Sequence, residues 1–70
     1  MQKSFYHLVP CSRSAGLVRK FRLHSIPFEV EPIRNSDNVC FVFPDLSVKQ
    51  YHVVYLVFGR AGEAYPLSRE

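Results

Sequence analysis

The stretch VPCSRSAG, Val9 to Gly16, gathers a thiol, two hydroxyls and a guanidinium where an apolar run gives way to a basic one. Cys11, Ser12, Arg13 and Ser14 have the C-x-x-S form. A cysteine at the start of a helix meets free backbone N–H groups and the positive end of the helix dipole, and both favour the thiolate. Arg13 adds positive charge two residues away. Ser14 stands where a dithiol site would carry its resolving cysteine, so any exchange at Cys11 would be monothiol. The other interpretation is that Cys11 is a small turn residue, and the sequence leaves both open.

The remaining chemistry-bearing residues do not converge. Cys40 lies in the apolar run VCFVF and is expected in the core. His7, His24 and His52 fall in three separate segments without metal-ligand spacing, so no metal site is expected. There is no glycine-rich phosphate loop, paired-carboxylate motif or Ser-His-Asp arrangement.

Seventy residues suffice for one domain, 1–70, with a small core. Apolar residues make up 47% of the chain, enough to rule out a disordered segment. A net charge of +3 without aromatic-basic interleaving argues against a nucleic-acid partner. The longest apolar run, Val53 to Phe58, is too short to span a bilayer, so no membrane role is expected. No apolar core of a secretory signal follows Met1, and two cysteines fit a reducing compartment, so a cytoplasmic location is expected.

Positioning this chemistry falls to five elements. Ser4 to Val9 is aromatic and β-branched, which predicts a strand that stops at Pro10. Ser12 or Ser14 can cap a helix running to about His24–Ser25. On that helix Ser14, Leu17, Val18 and Phe21 share one face, and Arg13, Arg19, Lys20 and Arg22 lie outside it. IPFEVEPI alternates and carries two prolines, which predicts an edge strand. RNSDN is a turn and Val39 to Phe43 a buried strand. Gln50 to Phe58 is apolar on all sides and rich in valine, which favours a strand hairpinned to Val39–Phe43. A helix capped by Asp45 or Ser47 and ended by Gly59 is the alternative. The segment from Gly59 onward reads as a loosely packed tail.

The strand before Cys11, the C-x-x-S, the helix and the IPFE strand fifteen residues on together resemble the opening half of glutaredoxins, over Phe5 to Ile33. The resemblance implies a two-layer α/β fold, a shortened thioredoxin/glutaredoxin-like core of order β-α-β-β-β. It implies Cys11 as nucleophile, Ser14 at the resolving position, Arg13 as support, and glutathione as cosubstrate. Where that family continues with a second helix and a T-V-P segment, this chain has a short turn and Asn38-Val39-Cys40. With Gln50–Phe58 helical, the order becomes ferredoxin-like, β-α-β-β-α, which resembles small sulfur- or selenium-carrier-like proteins.

Two functions follow. The missing proline favours a non-catalytic protein-binding module, an adaptor or inhibitor of the size common among viral and mobile-element proteins, with no cofactor. The Cys11 spacing favours a monothiol exchange protein. One helix would leave an apolar sheet face uncovered, so a protein partner or a homodimer is expected there. Arg19 and Arg22 on the helix, with Val54 and Phe58 on the sheet, are the expected contact residues.

Overall fold

The computed structural model describes residues 2–65. Six elements follow in order: β1 (Phe5–Pro10), α1 (Cys11–Leu23), β2 (Glu29–Pro32), β3 (Asn38–Phe43), α2 (Val48–Phe58) and β4 (Glu63–Ala64). The strands form one antiparallel sheet in the order β2-β3-β1-β4. Both helices pack against one face of it, giving a two-layer α/β fold. β2 lies at an edge, where Pro32 costs no interior ladder bond.

Alternation along the strands sorts the core. Phe5, His7 and Val9 of β1 and Phe41 and Phe43 of β3 face the helices, whereas Tyr6, Cys40 and Val42 point the other way. Phe21 of α1, Phe41, Phe43 and Val54 of α2 are completely buried between the layers. Each such side chain contributes about 1.5–3 kcal/mol by leaving water. Edge-to-face packing of Phe21 on Phe43, with centroids 5.5 Å apart, fixes how α1 lies on the sheet.

α1 starts at Cys11 itself, earlier than a Ser12 or Ser14 cap would place it. Pro10 occupies the N-cap with φ −58° and ψ 137°, and no side chain caps the first turn. Instead the Cys11 N–H donates to the Asp37 carbonyl at 2.8 Å, and the Ser14 hydroxyl donates back to the Cys11 carbonyl at 2.8 Å. The far end closes on Ser25, at φ 57°. Its N–H reaches the Arg22 carbonyl while the Ile26 N–H reaches that of Phe21. This is a Schellman closure with Ile26 and Phe21 packed in the same core.

The strand expected over Gln50–Phe58 is a helix, so the β-α-β-β-β order does not hold. Ser47 and Gln50 form a reciprocal capping box, and Gly59 ends the helix in the left-handed region at φ 74°. Packing decides the matter: a second helix completes the cover over Phe41 and Phe43, which one helix could not supply. The expected tail contributes β4, paired with β1 through Phe5–Ala64 and Tyr6–Glu63. The last part of that tail, Pro66 to Glu70, lies outside the described residues. Among the described residues no helix is long and apolar enough to cross a membrane.

Candidate functional site

Cys11 is exposed at the first position of α1, so its thiol is open to solvent at the uncapped, positive end of a thirteen-residue helix. Arg13 is exposed two residues further along, and Ser14 is half-buried with its hydroxyl donating to the Cys11 carbonyl. The expected trio is thus brought together on one turn. Cys40 is buried on the opposite face of the sheet from the helices. Burial pushes its thiol above the ordinary value, and the Glu31 carboxylate adds to this. Both cysteines are free thiols.

The α1 N-terminus also forms one wall of a cleft of about 350 Å³. Helices α1 and α2 run antiparallel, since Gln50 near the start of α2 bonds the Ser25 carbonyl beyond the end of α1. The first turns of α1 therefore stand beside the last turn of α2. Val9, Leu17, Val57 and Phe58 give the cleft an apolar lining, and Arg13 and Arg60 are its two cationic lining residues. Among the described residues no carboxylate lines it.

Next to this cleft lies His7, at 3% exposure the one buried ionisable group on the helix side among the described residues. Its ring stacks on Phe58, with centroids 3.9 Å apart and planes within 9°, and meets Phe5 and Phe43 edge-on. Burial, with the nearby Arg60 charge as a second cause, pulls His7 down to about 4. Gly62 passes so close that a Cβ there would stand 2.7 Å from the Tyr6 carbonyl oxygen and 3.0 Å from His7 Nε2. No residue spacing points to His7. Its only clue was its place in a β-strand alternation, between Phe5 and Val9.

The expected contact residues divide. Arg19 and Arg22 are exposed on α1. Val54 is fully buried and Phe58 is half-buried against His7, because in a helix both turn toward the sheet. Val54 therefore presents no surface to a partner and Phe58 only the part that lines the cleft, which corrects the expectation built on a strand. The apolar residues that α2 does expose are Val48, Tyr51, Tyr55 and Leu56. At helical spacing these fall on its outer side with His52. The uncovered sheet face is not the apolar patch expected. Glu29 and Glu31 sit opposite Val42 and Cys40, and Glu63 opposite Tyr6, so all three lie on that face. Lys3 bridges Glu31 and Glu29, Tyr65 donates to Glu31 at 3.2 Å, and the Lys3 ammonium lies 5.2 Å from the Tyr65 ring centre. The Lys3 hydrogen bond holds Glu31 below the usual carboxylate range.

Charge is consequently divided between the layers. The helices carry five of the nine Lys/Arg residues (Arg13, Arg19, Lys20, Arg22 and Lys49) and none of the six acids. Among the described residues no three His, Cys, Asp or Glu side chains cluster as metal ligands. Comparison with protein-family models, curated proteins and solved structures finds no match to this chain.

Proposed function

We propose that this chain is a small, non-catalytic protein-binding module on a ferredoxin-like β-α-β-β-α-β scaffold, acting in the cytoplasm. One observation carries the reading: the outer side of α2 is apolar and aromatic, beside an α1 whose outer side is cationic. Val48, Tyr51 and Tyr55 repeat at three- and four-residue steps, and Leu56, two turns beyond Val48, is 66% exposed. A helix of eleven residues is about 16 Å long, too short a ridge for a flat interface of about 800 Å² per partner. It suits insertion into a groove. Arg19 and Arg22 on α1 then select a groove with an acidic rim, and a second copy of this cationic layer would repel it. The partner is therefore a different protein, with an apolar groove bordered by carboxylates.

The test uses partners co-purified from host cells and then isolated. A one-to-one partner that loses at least about tenfold affinity with Leu56→Asp, and again with Arg19→Glu/Arg22→Glu, supports the module. Sedimentation showing only self-association defeats it, as does oligonucleotide or anionic-vesicle binding that Leu56→Asp leaves intact.

Exposure of Cys11 at the start of α1 favours a second reading, monothiol exchange. The Cys11 thiolate would attack a protein–glutathione mixed disulfide at the glutathione sulfur, releasing the protein thiol and forming a Cys11–glutathione disulfide. A second glutathione thiolate would then release Cys11 and leave as oxidised glutathione. A carrier role would fall on the same thiol, since Cys40 is buried. Cys11→Ser should abolish turnover and Ser14→Cys retain it; no turnover above free glutathione eliminates this reading.

A further inference from the structure

The geometry points to a ligand site in the cleft between the start of α1 and the end of α2, one that takes a small carboxylate or phosphate carried on a compact apolar body. The site is separate from the outer side of α2 and does not rest on that surface binding anything. Arg13 comes from the first turn of α1, and Arg60 follows the left-handed Gly59 that ends α2. Both residues line one cleft of about 350 Å³, with no carboxylate among its described lining residues; Glu63 lines a separate small cleft that Arg60 also borders. Among the described residues the only ion pairs are those of Lys3, so neither arginine has an internal counter-ion.

A planar guanidinium offers paired N–H donors to carboxylate or phosphate oxygens, and this cleft is lined by two residues that carry one. Behind them Val9 and Leu17 form an apolar floor from β1 and α1, and Val57 and Phe58 add to it from α2. An inorganic anion would use the arginines and leave that floor wet; an uncharged apolar molecule would do the reverse. Only a ligand with both parts uses the whole surface, and the volume is at the small end for ligand pockets. Phe58 also forms one side of the His7 stack, and Arg60 is one of the groups holding His7 down. An anion on Arg60 therefore raises the pH at which His7 titrates, which provides an internal reporter.

The experiment is a titration of the isotope-labelled protein, followed by backbone amide and His7 ring shifts. The probes are phenylacetate, phenyl phosphate, phenylacetamide, inorganic phosphate, and a short acetylated peptide ending in a free Phe carboxylate. Phenylacetate or phenyl phosphate should give saturable shifts at Arg13, Leu17, Val57 and Arg60, and should move the His7 titration upward. Phenylacetamide and inorganic phosphate should bind at least about tenfold more weakly. Arg13→Gln and Arg60→Gln, both at exposed positions, should fold normally and each weaken phenylacetate severalfold. Tighter binding of the peptide than of phenylacetate assigns the site to a protein C-terminus, and the reverse assigns it to a free small acid. Equal binding of phenylacetate and its amide, affinity indifferent to both arginines, or no saturable shift in the cleft overturns the inference.

Discussion

Acidification through the histidine range should cost this protein stability through one residue, His7. Its folded value is about 4 against an ordinary 6.5. As pH falls, the unfolded chain takes up this proton first, so stability is lost between pH 6.5 and about 4. Two and a half pH units at about 1.4 kcal/mol each set an upper bound of about 3.4 kcal/mol. The His7 edge borders a small cleft shared with Arg60 and Glu63, which lets water screen the charge. About half of the bound is then the expected loss, of which about 1 kcal/mol is reached by pH 5. For a domain of this size that lowers the midpoint of thermal unfolding by about 4–8 °C. Glu31 does not confuse the window. Its folded value is depressed below 4.5, so its contribution stays intact above that pH and is lost only as pH falls further. Urea unfolding followed by circular dichroism at pH 7.5 and pH 5 measures the effect, and His7→Phe supplies the control. Phenylalanine keeps an aromatic ring on Phe58 but binds no proton, so its stability should be flat over the same range. Slopes are compared, so any change in baseline stability from the larger ring does not enter. Equal slopes in the two proteins, or no loss in the wild type, would refute the reasoning.

Thiol chemistry should separate cleanly: iodoacetamide at neutral pH should modify exposed Cys11 in the folded protein, and Cys40 only after unfolding, as read by mass-mapped peptides. Faster labelling of Cys40 would contradict its place beneath the Lys3–Glu31–Tyr65 cluster. Ser47→Ala removes half of the capping box and should cost about 1 kcal/mol in urea unfolding, and Gln50→Ala on top should cost further because it also removes the hydrogen bond to the Ser25 carbonyl. Ser25→Gly should stabilise by about 0.5 kcal/mol, because relief of a left-handed non-glycine conformation slightly exceeds the added freedom of the unfolded chain. A destabilised Ser25→Gly protein would mean that the Schellman closure is not the strained element it is taken to be.

Much of the local structure was legible in the chain. The apolar spacing of Leu17 and Phe21 determined the buried face of α1, since a 3.6-residue period leaves only one such stripe. Two prolines around Glu29–Val30 placed β2 at an edge, because neither can donate to a ladder. The exposure of Cys11 and burial of Cys40 followed from a helix start and an apolar strand. The segment after Ser47 is a helix where its composition predicts a strand, because β-branched content describes a tendency and not an outcome. Its valines suit a strand as readily as a buried helix, and periodicity is silent when nearly every position is apolar. One local signal favours the helix: Ser47 and Gln50 have the spacing of a capping box, which a strand does not form.

Other features existed only once the chain was folded. Pairing β1 with β3 and β4 and packing two antiparallel helices on one face put Arg13 beside Arg60, forty-seven positions apart, and buried His7 under Phe58. Glu31 met Lys3 and Tyr65 for the same reason. No spacing rule reaches across such separations, because the register that joins them is set by which apolar faces can be covered together. Sequence alone determined which residues each element would bury and where its ends could close, through period, proline and capping chemistry. Tertiary packing decided that the last long segment is a helix, that Val54 faces inward, and that two arginines share a cleft, because a sheet with exposed phenylalanines is stable only when a second helix covers it.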